Sequence, residues 1–129
     1  MAGSTPIETT ELPDFHQILP ITLNGVVDSD VHLFYAERDT VLESAWVVCG
    51  TNDADATFTI KKASSGAIAS GTAVSAARSI SATAGTPLQF SIVATENLIP
   101  AGSWVGIDIT GTSTAADCSV TLRVRTRIV

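Results

Sequence analysis

The closing stretch "CSVTLRVRTRIV" (118–129) alternates with a period of two. Val120, Leu122, Val124 and Ile128 fall on one side, and Thr121, Arg123, Arg125 and Arg127 on the other. A helix repeats every 3.6 residues and cannot sort these side chains into two such sets. The segment therefore reads as a β-strand with one face to a core and one to solvent. The same period recurs upstream. "PLQFSIVAT" (87–95) sends Leu88, Phe90 and Ile92 inward, and "ATFTIKK" (56–62) sends Phe58 and Ile60 inward with Thr57, Thr59 and Lys61 outward. Pro100, Ala101 and Gly102 form a turn, because proline fixes one backbone dihedral and glycine accepts a positive one. The strand that follows sets Val105, Ile107 and Ile109 against Trp104, Gly106, Asp108 and Thr110.

Three further strands are predicted at "QILPITLN" (17–24), "VHLFYAE" (31–37) and "VLESAWVVC" (41–49). Alternation in the last places Leu42, Ser44, Trp46 and Val48 on one face, which makes Trp46 a core residue. Residues 63–86 are almost entirely Ala, Ser, Thr and Gly, with Arg78 as the single charge. Their glycines and hydroxyl residues weaken a helix, so the stretch reads as a long loop with weak strands at 67–69 and 78–82. Seven or eight short strands without a helix predict an all-β fold, a single antiparallel β-sandwich of jelly-roll type over 17–129. Residues 1–16, broken by Pro6 and Pro13, show neither period and predict an extended N-terminal arm. Such an arm is either a frayed terminus or a tether that orders against a neighbour.

At 129 residues the chain has the length of one domain, and 45% hydrophobic residues exclude disorder as its overall state. No apolar run approaches the roughly 18 residues that span a bilayer, so no membrane partner is expected. The first twenty residues hold neither a basic cluster nor an apolar core of signal-peptide length, which predicts synthesis and retention in a cytoplasm. Cys49 and Cys118 lie in separate strand-like runs. A disulfide would require those strands to face each other, and a reducing compartment predicts two free, buried thiols instead.

The net charge of −6 is unevenly placed. Residues 1–55 hold ten acids against one base, Arg38, while residues 56–129 hold three acids against six bases. The overall sign argues against a nucleic-acid partner, since phosphate would be repelled. His16 and His32 read as surface or packed histidines, Ser44 and Ser103 lack a nucleophile elbow, and no phosphate-binding glycine pattern occurs. Asp28, Asp30, Asp53 and Asp55 could offer oxygens to calcium, but "DSD" and "NDAD" are also ordinary turn chemistry. No catalytic, cofactor-binding or metal-ligating residue is assigned, and the chain is expected not to be an enzyme.

Two surfaces stand out. The Arg123, Arg125 and Arg127 row is either a solvated strand face that discourages pairing with other chains, or an interface for acidic groups. The chain supplies such groups in Glu8, Glu11 and Asp14, so one copy could meet the next. Trp104 and Tyr35 are candidates for a platform on which sugar rings stack.

The stretches "TFTIKKASSGAIASG", "GTPLQFSIVATENLIPAGSWVGIDITGT" and "CSVTLRVRTRIV" together resemble the small β-sandwich structural proteins of tailed-bacteriophage virions. Among these, the resemblance is to capsid decoration, or cement, proteins. It covers roughly residues 56–129 and departs from the pattern at Ser103, where an acid often follows the Ala-Gly turn, and in the acidic arm. It implies a structural protein on the outer capsid surface, without cofactors, whose partner is the major capsid protein. It also implies a homotrimer that bridges neighbouring capsomers. The competing reading is a carbohydrate-binding or host-recognition module of a fibre or spike.

Overall fold

The computed structural model describes residues 15–127. Two antiparallel sheets pack face to face. Sheet 1 runs β1 (Phe15–Val26), β10 (Ala116–Thr126) and β3 (Thr40–Thr51), with β7 (Leu88–Gln89) and β8 (Leu98–Ile99) both on the far side of β3. Sheet 2 runs β2 (Val31–Tyr35), β9 (Trp104–Thr110) and β4 (Asp53–Ala63), with β5 (Thr72–Ala73) and β6 (Arg78–Ile80) both on β4. Each short pair fills a single strand position, so ten strands occupy the eight positions of the sandwich.

The pairing order explains the shape. The first strand pairs with the last, β2 with β9, β3 with β7 and β8, and β4 with β5 and β6. That is one long antiparallel ribbon with its tip after β4, rolled so that successive ribbon strands fall in alternate sheets. Such a roll is the jelly-roll sandwich. Its core is the set of inward residues that the period-two reading selects, among them Phe58, Ile60, Leu88, Phe90, Val105, Ile107, Val120, Leu122 and Val124.

In β3 the structure differs from the alternation. Arg123 pairs with Ser44 but the next residue, Val124, pairs with Leu42, so Glu43 is an extra residue on β3. This β-bulge reverses the phase of everything after it. Leu42 points inward before the bulge, and Ala45, Val47 and Cys49 point inward after it. Trp46 therefore faces out and is 41% exposed, which corrects its assignment to the core.

The cysteines are corrected as well. Cys49 and Cys118 are directly opposed on β3 and β10 and form a buried disulfide, so neither is a free thiol. In the Ala/Ser/Thr-rich passage, the strand expected at 78–82 is β6, but 67–69 overlaps a short 3-10 helix, Ile68–Ser70, and the neighbouring strand is β5. Phe15 and His16, the last two residues of the expected arm, belong to β1. The rest of the arm, with Glu8, Glu11 and Asp14, lies outside the described residues.

Candidate functional site

The two outer faces of the sandwich are treated very differently by the chain. On sheet 2, the outward residues include His32 of β2, Gly106 and Asp108 of β9, and Thr59 and Lys61 of β4. The passage between β4 and β5 folds back across them. Its Ile68 is 1% exposed and sits over Gly106, where a Cβ would collide with the Val31 carbonyl and with Ile68 Cγ1. Only glycine permits that close approach. His32 Nε2 lies 2.7 Å from the Gly66 carbonyl, and Lys61 Nζ donates to the Ala69 carbonyl at 3.0 Å. Lys61 Nζ also reaches Asp108 Oδ2 at 2.7 Å. One strap of the chain is thereby pinned at both ends and plugged in the middle.

Sheet 1 has no such cover among the described residues. Register places His16, Ile18, Pro20 and Thr22 of β1 beside Arg125, Arg123, Thr121 and Ser119 of β10. Next to these stand Ser44, Trp46 and Val48 of β3, and Gln89 of β7 beside Trp46. Ile18 is 64% exposed. Trp46, Val48, Pro87, Ser119 and Thr121 line a shallow groove of about 270 Å³. An exposed tryptophan beside Thr and Ser hydroxyls and a cationic row offers apolar, hydrogen-bonding and charged contacts on one flat surface, a mixture typical of protein interfaces.

The arginine row is not bare of acid. The bulge that turns Trp46 outward also delivers Glu43 to it. Glu43 Oε1 lies 3.4 Å from His16 Nδ1 and 3.6 Å from Arg123 Nε, and Oε2 lies 3.7 Å from Arg125 Nε. These separations exceed those of a charge-assisted hydrogen bond, about 2.7–2.9 Å. Exposed pairs of this kind contribute about 0–1 kcal/mol and are screened by salt. Arg127 stands at the end of the row with its side chain exposed and its backbone N–H donated to the Asp39 carbonyl. Sequence reasoning found the arginines and missed Glu43, Ile18 and Trp46. The available signal was the three-residue step from Leu42 to Ala45, which a bulge explains and strict alternation does not.

Tyr35 and Trp104 are brought together as directly opposed residues of β2 and β9, with ring centroids 5.0 Å apart. His32 also packs against Trp104, at 5.4 Å in a T-shaped contact. Trp104 is half-buried, and Tyr35 is 46% exposed. The turn acids serve backbone groups. Asp53 accepts from the N–H groups of Asp55 and Thr114 and from the Thr114 hydroxyl, which holds its carboxyl below the usual value of 3.8. Asp30 accepts from the Ile109 N–H at 3.2 Å.

The sequence matches no protein-family model and no curated protein. Among solved structures, the chain is similar to one from the cyanophage Pam1 capsid asymmetric unit, at 12% identity and a TM-score of 0.48, over 88% of this chain and 86% of that one. It is also similar to a chain from the structure of infectious bursal disease virus, Gx strain, at 19% identity and a TM-score of 0.39. That match takes in 89% of this chain and 33% of the viral one.

Proposed function

We propose that this protein is a non-catalytic structural component of a bacteriophage virion. It binds the outside of the capsid, contacts the major capsid protein and bridges neighbouring capsomers as a homotrimer. The observation that carries this reading is the outer face of sheet 1, uncovered among the described residues, with Trp46 and Ile18 exposed beside the arginine row. Among the described residues, a strap covers the middle of one outer face, and no comparable strap covers the other. The closing strands that resemble decoration proteins supply the cationic part of that face. A protein that binds only the assembled shell stabilises the shell by mass action, so a rigid sandwich needs no chemistry beyond adhesion.

The test is co-sedimentation of the purified protein with expanded tailed-phage capsid shells and, separately, with unassembled capsid protein. Binding to shells alone, with a higher shell-rupture temperature, is the expected result. Equal or absent binding to both would remove the decoration role. The carbohydrate reading retains one specific observation, the exposed Tyr35 ring beside Trp104. Glycan-array binding that is abolished by Tyr35→Ala would favour it.

A further inference from the structure

Near its end, β1 carries the dipeptide Asn24–Gly25. Leu23 pairs with Cys118 and Val26 with Ala116, so Asn24 and Gly25 together oppose the single residue Asp117. Two residues against one make a β-bulge, which opens the ladder at that point. Gly25 takes a positive φ of 76°, and Asp117 across from it takes 54°. A Cβ on Gly25 would meet nothing within 4 Å, and Asn24 and Gly25 are both exposed. The Gly25 N–H donates to Asp117 Oδ1 at 2.9 Å, so its acceptor is a carboxylate.

An asparagine followed by glycine can close on itself. The glycine backbone nitrogen attacks the asparagine side-chain carbonyl carbon, and a succinimide ring forms. Glycine favours this step because it has no Cβ to obstruct the approach. The nitrogen must lose its proton, and a base serves only from hydrogen-bond reach of that proton, about 2.6–3.2 Å. Asp117 Oδ1 lies within that reach. We propose that Asn24–Gly25 is a self-modifying site in which Asp117 is the base. The bond from Gly25 N to Asn24 Cγ forms as the Gly25 proton passes to Asp117 Oδ1. The bond from Cγ to Nδ2 then breaks, the same proton leaves with Nδ2 as ammonia, and Asp117 returns to its carboxylate form. Water, the one co-reactant, opens the ring at either carbonyl and leaves aspartate or isoaspartate at position 24. The product places a new carboxylate across the ladder from Asp117, where like charges repel. The fold thereby writes an irreversible change of charge into the end of β1. The step needs no partner and stands apart from the proposed function.

The test holds the full-length chain at neutral pH and follows the peptide carrying Asn24 by mass spectrometry. An isoaspartyl methyltransferase assay counts the isoaspartate product. Asp117→Asn is the informative variant, because its amide oxygen still accepts the Gly25 N–H but cannot take the proton. Asparagine also tolerates the positive φ of that position. Parent and variant are compared folded and in urea. A placed base typically contributes about 10²–10⁴-fold, so the folded parent should convert Asn24 at least about tenfold faster than the folded variant. In urea the two should convert at one rate, because Asp117 is remote from Gly25 along the chain. The folded parent should also outpace its own unfolded form, a comparison that does not depend on the variant. Equal rates in the folded parent and variant, a faster variant, or a parent that converts no faster folded than unfolded would overturn the proposal.

Discussion

Sheet 1 and sheet 2 are built from strands of similar pattern, yet their outer faces end up in opposite conditions. Sheet 2 is covered in its middle by Ile68 over Gly106, with His32 and Lys61 holding the strap, and leaves Tyr35 exposed at one end. Sheet 1 keeps a tryptophan, an isoleucine and a row of arginines in the open. Leaving Trp46 exposed forgoes about 1.5–3 kcal/mol of burial that a strap could have captured. The same chain shows on sheet 2 how such a strap is made.

The comparison breaks most severely if sheet 1 is untied. It has no outer cover among the described residues, and its two central strands are joined by the Cys49–Cys118 disulfide. The bond closes a loop with a sequence separation of 69 residues. Constraining a loop of that length in the unfolded chain corresponds to about 4 kcal/mol. Replacing both cysteines by alanine is expected to cost roughly that much in urea unfolding, and a thiol assay on the unreduced, denatured parent should find no free thiol. A full count of two thiols would restore the free-cysteine expectation.

On sheet 2 the strap itself is the target. Ile68→Ala removes the plug and is expected to cost about 2–3 kcal/mol, in the lower part of the range for buried isoleucines. Gly106→Ala places a Cβ against the Val31 carbonyl, which is backbone and cannot step aside, and should cost about 1–3 kcal/mol. Hydrogen exchange would show which amides open, and both variants should expose residues 63–71 first. Stabilities equal to the parent would mean that the strap is an ornament of the surface and that both faces are open.

On sheet 1 the same kind of substitution should act on association and spare the fold. Trp46→Ser with Ile18→Ser is expected to change unfolding free energy by no more than about 0.5 kcal/mol, as for other exposed positions. Replacing Arg123, Arg125 and Arg127 by serine should likewise leave the fold intact. Sedimentation at low salt should show weakened self-association in both. Loss of more than about 2 kcal/mol from the Trp46 variant would return that ring to the core.

Why one face was legible in the sequence and the other was not follows from where the period holds. Strands β4, β9 and β10 alternate without interruption through their buried residues, so Phe58, Ile107 and Leu122 were placed correctly and the sandwich followed. In β3 one inserted residue, Glu43, reverses the phase, and a bulge leaves no mark in composition. Tryptophan's size then favoured the wrong face. The disulfide was hidden for a related reason: it depends on register between strands far apart in sequence, and compartment alone argued against it. Ile68 over Gly106 was equally out of reach, since a single isoleucine among alanines and serines gives no periodic signal.

The smallest expected effect concerns the joint between the two sheets. Asp53 opens β4 in sheet 2, and its carboxylate accepts from Thr114, in the turn that carries the chain from β9 across to β10 in sheet 1. Hydrogen bonds from the Asp55 N–H, then from the Thr114 N–H and hydroxyl, hold its carboxyl below 3.8 in the folded chain, against a weaker opposing effect of burial. A carboxyl depressed on folding binds its proton more readily when unfolded, so stability rises with pH while the group titrates. The contribution is complete above the unfolded value near 3.8 and fades as pH falls through the lower folded value. Asp53→Asn removes the charge but keeps one acceptor oxygen. Its urea midpoint should lie slightly below that of the parent at pH 7, and the gap should close as the pH falls through the lowered folded value. A gap that stays constant from neutral to strongly acid pH would show that the Asp53 charge contributes nothing to this joint.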